Sequence, residues 1–372
     1  MPRLRSVPRN SRLQQILVAG REHWDREGYD PSARAAFLHA LQCQTPALGG
    51  RVYASGDEQA QFFNTCKSRA CPSCGHVATI GWQRERWCAL PEGRYQVLTL
   101  TMPDTLWGLF AANKGLCRKL PTIAAEIIGS YTRVFRGLEA GVMPILHTFN
   151  PKLEFNCHIH ALVMTPNLQS PGVRESKIFF DGYALMRSWR RLVIALLRDA
   201  LDAGKLNSQL DHEDVQRLLD QEEKRDWWRV HVQTFVGKER FLRYAGRYLR
   251  RPPIAQRRII HVANGFVKFW YKDKRTRRIR TARCTIQEFI DRWAQHIPDR
   301  YRHSVRHFGL FAPRRWARVA TSVFVVTGQR QRPRPKRRPW AIVLEQQFGR
   351  NPLLDSKGQP MRWQRHIAPV PT

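Results

Sequence analysis

A chain of 372 residues is long enough for two or three domains with a sizeable core, and no apolar run in it approaches the ~18 residues of a membrane-crossing helix. Sixty-three Lys and Arg against thirty Asp and Glu leave a net charge of +33. Such self-repulsion calls for a polyanionic partner. Nucleic acid fits that role better than an anionic membrane, because neutralising phosphates releases counterions and no basic amphipathic surface helix is evident.

The basic N-terminus, Met1 to Arg5, is not followed by a signal-type apolar segment, so the expected location is the cytoplasm. Residues 1–42 read as helix, with Leu13, Ile16, Leu17 and then Phe37, Leu38, Leu41 at helical spacing and a break at Pro31. Gly49-Gly50 opens a polar loop that runs into Cys66, Cys71 and Cys74. A C-x-x-C followed by glycine is a knuckle in which backbone amides can point at thiolates, and it suits tetrahedral zinc. Three Zn²⁺ ligands are plain; Cys43 is the first choice for the fourth and His76 the second.

Residues 95–102 form a strand ended by Pro103, and an apolar helical region interrupted by Pro121 follows to about Leu138. Residues 142–149 and the run Asn156 to Met164 read as two strands joined by a short loop. Strand side chains alternate faces, so His158 and His160 point the same way, about 7 Å apart, and can share one divalent ion. Antiparallel pairing of the two strands would bring His147 or Glu154 to that face, with His147 preferred as third ligand. Mixed histidine sites accept several ions, and Mg²⁺ or Mn²⁺ both remain open.

An amphipathic helix at 183–202, a polar helix at 211–224 and a strand at 227–236 precede the basic stretch Lys238 to Arg251, a helix terminated by Pro252-Pro253. Tyr244 and Tyr248, four apart, share one face of it, among Arg243, Arg247, Arg250 and Arg251 as DNA-contacting cations. Two tyrosines packed as core on an arginine-rich helix is the structural alternative. A hairpin turning at Asn264-Gly265 follows, then a basic strand and a helix opened by the capping box Thr285 to Glu288. Beyond Pro313 order weakens, and Arg330 to Arg338 reads as an extended, phosphate-binding linker.

A tyrosine oxygen close to a metal-polarised phosphate can attack phosphorus and keep the phosphodiester energy in a covalent bond; two tyrosines allow two successive exchanges. The residues also match a family. The run from His147 to His160, Tyr244-Ala-Gly-Arg-Tyr248-Leu-Arg-Arg-Pro-Pro-Ile-Ala, His296-Ile-Pro-Asp and Arg306-His-Phe-Gly-Leu-Phe-Ala resemble the two-tyrosine HUH transposases of rolling-circle insertion sequences, the IS-ninety-one group. Cys66 to Cys74 looks like the end of that family's N-terminal zinc-binding domain. The resemblance spans most of residues 35–316.

It implies an α+β fold: a split-βαβ HUH nickase core, an antiparallel sheet with helices on one side, preceded by a small helical zinc-binding domain. The expected division is a DNA-binding zinc domain at 1–90, a catalytic domain at 91–312 and a basic extension at 313–372. Implied partners are single-stranded element ends and target DNA, with host replication machinery and a nucleoid location. Carried over by position, His158 and His160 are metal ligands and Tyr244 and Tyr248 nucleophiles forming a 5′-phosphotyrosine. Three departures stand out: Tyr53 to Glu58 where a further C-x-x-C is usual, Asn351 to Met361, which resembles a C-x-x-C segment without its cysteines, and Thr148-Phe149-Asn150-Pro151 after His147, where Thr-Phe-Gly-Arg is common. A rolling-circle replication initiator and an inactive zinc-dependent DNA-binding protein are the alternative readings.

Overall fold

The structure, a computed structural model, describes residues 3–5, 10–166, 180–226, 228–248, 252–273, 276–299, 305–336, 338–349 and 351–370. The chain divides into two compact units: residues 1–78, 252–300 and 335–372 in one, and residues 79–251 and 301–334 in the other. Helices mix with mainly antiparallel sheets, an α+β arrangement. No described helix is long and apolar enough to cross a membrane.

The second unit is built on a five-stranded sheet in the order Phe308–Gly309, Gly141–Phe149, Phe155–Met164, Arg94–Thr101, Val230–Val236, every neighbouring pair antiparallel. Its middle strand, Phe155–Met164, is buried on both faces, which is why it reads as an apolar run rather than an alternation. Cys157, Ile159, Ala161 and Val163 face a layer made by the helices Trp107–Ala112, Leu120–Arg136, Gly182–Asp202 and His212–Lys224. Pro121 does not interrupt the second of these but opens it, occupying a first-turn position where its missing N–H costs nothing. Gly137, at φ 60°, ends that helix in the left-handed conformation.

The opposite face is also covered, where helices on one side were expected. Leu162 and Met164 pack with Met143, Tyr95 and Val97 against Phe241, Leu242 and Ala245 of helix Lys238–Tyr248, Val323 of helix Pro313–Val326, and Trp82. The second layer comes from segments whose apolar positions are sparse between arginines, so the sequence conceals them. Order therefore persists beyond Pro313, in that helix, in helix Trp340–Phe348 and in strand Arg362–Ile367. Residues 329–336 are without helix or strand, as the proline-rich composition suggests.

In the first unit the N-terminal region divides into helices Arg12–Ala19, Arg21–Arg26 and Pro31–Gln42. Ser11 and Gln14 form a capping box on the first, and Asp30 caps the third. Residues 3–5 are a short strand rather than helix, pairing in parallel with Glu58–Ala60. The expected polar loop after Gly50 is instead a hairpin, Gly50–Ser55 with Glu58–Phe63, which the C-terminal strand Arg362–Ile367 extends on its other edge. Strands Ile259–Ala263, Phe266–Lys272 and Ile279–Thr285 form a meander, turning through Asn264 and Gly265 at φ 51° and 77° as a tight Asn-Gly hairpin turn requires. Thr285 and Glu288 cap helix Ile286–Gln295, whose Trp293 stacks on Phe37 at 5.5 Å.

Candidate active site and metal centres

Pairing places His147 opposite His158 and Ile145 opposite His160. Paired residues share a face, so all three imidazoles lie on the side that helix Lys238–Tyr248 covers. Ring centroids are 5.3 Å apart for His147–His158, 4.8 Å for His147–His160 and 4.9 Å for His158–His160. One ring nitrogen from each lies within 4.8 Å of the others, and the rings are only 7–9% exposed.

Outer hydrogen bonds orient two of them. His158 donates from Nδ1 to the Asn156 carbonyl at 2.8 Å, which puts the lone pair on its Nε2. His160 Nδ1 meets the Thr99 hydroxyl at 3.0 Å, and Thr99 is its cross-strand partner. His147 stacks on Phe149 at 5.3 Å. Three neutral imidazoles converging from a rigid sheet form a donor set that suits a divalent transition metal. Glu154 is exposed and accepts from Asn150 at 2.7 Å within the connecting loop, outside this cluster.

Tyr244 is half-buried on the same sheet face, against Phe235 at 5.1 Å and the packed core. Tyr248 is the last residue of its helix. Its side chain and that of Arg247, together with Arg250 and Arg251, lie outside the described residues. Arg243 is exposed and donates to Glu239 at 2.5 Å. Gln83, which sequence reasoning did not single out, donates to the Leu242 carbonyl at 2.8 Å and so meets the tyrosine helix from the side.

The second cluster gathers Cys43, Cys66, Cys71 and Cys74. Sγ separations are 3.7 Å for Cys43–Cys74, 3.6 Å for Cys66–Cys74 and 3.8 Å for Cys43–Cys71. These are far too long for disulfides. They match the edge of a tetrahedron with zinc–sulfur bonds of about 2.3 Å, which is about 3.8 Å. Cys43 sits at the C-cap of helix Pro31–Gln42, and Cys71 and Cys74 bracket the start of helix Pro72–Ala89. His76 is exposed and not among the four. Proton sharing with the neighbouring thiols, that of Cys43 first, holds Cys71 below the ordinary thiol range. The same sharing pushes Cys66 up, the Cys43 thiol again the largest cause. Zinc binding at these four sulfurs would displace the thiol protons.

Two families of known sequence match the chain: residues 141–318 match a model described as "Putative transposase", and residues 16–102 one described as "Transposase zinc-binding domain". The chain is 33% identical over 292 residues to the transposase for insertion sequence element IS801 of Pseudomonas savastanoi pv. phaseolicola, covering 74% of this chain and 69% of that protein. It belongs to the IS91-type transposase family. A second member, the putative transposase y4qJ of Sinorhizobium fredii, is 30% identical over 300 residues, 76% of this chain and 75% of its own. No solved structure matches.

As a transposase the chain has DNA as its partner, which accords with its +33 charge. The zinc-binding match contains all four clustered cysteines, and together with the sulfur geometry it supports a structural Zn²⁺ at Cys43, Cys66, Cys71 and Cys74. The transposase match contains the three histidines and both tyrosines.

Proposed function

We propose that this transposase nicks and rejoins single-stranded DNA at insertion-sequence ends by metal-assisted tyrosine attack, in rolling-circle transposition. The observation that carries the reading is the convergence of His147, His158 and His160 on the sheet face covered by the Tyr244 helix. A Mg²⁺ or Mn²⁺ ion held by the three imidazoles would polarise a phosphate oxygen and offset developing charge.

The residues of the chain do the rest. Tyr244 or Tyr248 gives up its phenolic proton, and its oxygen attacks the phosphorus in line. The bond to the 3′ oxygen of the neighbouring nucleotide breaks, leaving a 5′-phosphotyrosine on the protein and a free 3′ hydroxyl on the other fragment. A phenol with an ordinary pKa near ~10 needs nearby positive charge to ionise at neutral pH, which the metal would supply together with the arginines that flank the tyrosines in sequence, Arg243, Arg247, Arg250 and Arg251. Thr99 and the Asn156 carbonyl hold imidazole tautomers. In this reading residues 1–90 grip DNA through the zinc fold and residues 91–312 carry the chemistry.

The test is a cleavage assay on labelled single-stranded DNA from an element end, with Mg²⁺ or Mn²⁺, resolved on a denaturing gel. The expected product is a covalent protein–DNA adduct that disappears with EDTA, with His158→Ala, and with Tyr244→Phe and Tyr248→Phe together. Tight binding of substrates from both ends without any adduct would overturn the enzymatic reading.

A further inference from the structure

Away from the histidines, the second unit holds a cavity of about 840 Å³ lined by Glu92, Lys238, Phe324 and the segment Gln329 to Arg334. Its volume falls within the range of ~300–1,000 Å³ for small-molecule sites. The segment is pinned at one end. Gln329 accepts from the Glu92 N–H at 2.6 Å and donates to the Glu92 carbonyl at 2.8 Å, like one rung of a sheet.

From there Arg330, Arg332 and Arg334 follow at alternate positions, all exposed. Arg334 lies 3.4 Å from Glu85, while Arg330 and Arg332 have no ion-pair partner among the described residues. On the facing wall Lys238 is 4% exposed and donates to the Leu90 carbonyl at 3.0 Å, with Glu92 3.5 Å away. Its ammonium also lies over the Trp87 ring at 4.9 Å, and Arg332 approaches the same indole at 6.0 Å. Four cations against two carboxylates, Glu92 and Glu85, beside Phe324 and the Trp87 indole combine charge for phosphate with apolar surface for a base.

We propose that this cavity takes a short stretch of single-stranded DNA, three successive phosphates on Arg330, Arg332 and Arg334 and a base towards Phe324 and Trp87. Lys238 begins the helix that carries Tyr244, six residues and so about 9 Å further along. A strand held here is thereby led to the tyrosine turn. Paired, stacked bases have no free face for such a site, so duplex DNA does not fit. The proposal rests on the DNA partner and single-stranded substrate proposed above, not on the tyrosine chemistry.

The test uses the full chain with Tyr244→Phe and Tyr248→Phe, so that no adduct contributes, and a fluorescent oligothymidine read by anisotropy across a salt series. Replacing Arg330, Arg332 and Arg334 together by Ala is expected to lower the slope of log affinity against log salt by about 2, near 0.7 per lost phosphate contact. Because all three are exposed, the thermal transition should not move. Bromodeoxyuridine in the same oligonucleotide should photocrosslink to the peptides containing Trp87 or Phe324, and the variant should lose those adducts. An unchanged salt slope, or crosslinks only elsewhere, would overturn the proposal. So would displacement by thymidine monophosphate at equal phosphate concentration, since that marks a free-nucleotide site.

Discussion

Gln83 lies flat against Gly246, midway between the two tyrosines of one helix. A Cβ added at Gly246 would stand 2.1 Å from Gln83 Nε2, the same atom that donates to the Leu242 carbonyl at 2.8 Å. Glycine in a helix interior ordinarily costs about 1 kcal/mol relative to alanine. Here it admits a side chain that fixes the helix on its sheet. Gly246→Ala is therefore expected to stay folded but shift the tyrosine turn and lower adduct formation about 100-fold, the scale of a 1 Å misplacement. Gln83→Ala on top of it should restore much of that loss by removing the clash, a coupling that a double-mutant cycle measures directly. If Gly246→Ala alone leaves the rate unchanged, the contact has no positioning role.

The cysteine cluster gives a stability prediction. The chain should carry one tightly held zinc, and Cys43→Ala should lose it on mild chelation. Removing one of four ligands costs several kcal/mol, so the transition of the unit should fall by on the order of 10 °C. His76→Ala should change neither zinc content by elemental analysis nor the melting temperature by calorimetry. The reverse pattern would make His76 the ligand.

What could be read from the sequence follows from where the physics is local. Capping at Thr285 and the turn at Asn264-Gly265 depend on a few adjacent residues, and both stand where their patterns indicate. The His158 and His160 alternation needed only the period of a strand, and the antiparallel partner bearing His147 needed only a short loop. Other features depend on distant pairings. Glu58 to Phe63 looks polar, yet it forms a strand because Gly50–Ser55 pairs with it and Arg362–Ile367 closes the sheet. Thr99 reaches His160 through a register that no local pattern specifies. Gln83 meets Gly246 across a gap of more than 160 residues, and nothing nearby in the sequence announces the contact.

The histidine cluster yields a graded metal prediction. His147→Ala removes one of three converging imidazoles, so Mn²⁺ affinity by calorimetry should fall at least 100-fold, and adduct formation with it. Thr99→Val keeps the shape but removes the hydroxyl beside His160 Nδ1, and should cost about tenfold, as outer partners of metal-binding histidines do. Glu154→Ala should leave affinity unchanged, because its carboxylate bonds Asn150 in the loop. Unchanged affinity in His147→Ala with a loss in Glu154→Ala would reassign the third ligand.

The C-terminal strand should come loose in acid. Asp355 accepts from the N–H groups of Lys357 at 2.9 Å and Gln359 at 2.7 Å, and from the Ser55 hydroxyl at 2.9 Å, tying the turn before Arg362–Ile367 to the hairpin. These bonds favour the carboxylate, the Gln359 N–H most, and hold Asp355 below its ordinary range. A depressed folded-state pKa contributes stability that is fully present above the unfolded value of about 3.9 and is lost as pH falls through the lower folded value. Pepsin digestion at successive pH values below ~4 should therefore show release of the C-terminal peptide beginning in that window. Asp355→Asn keeps an acceptor for both N–H groups but cannot titrate. It should release the peptide to the same extent at every pH tested, whereas an acid step as steep as the unmodified chain's would assign the loosening to another group.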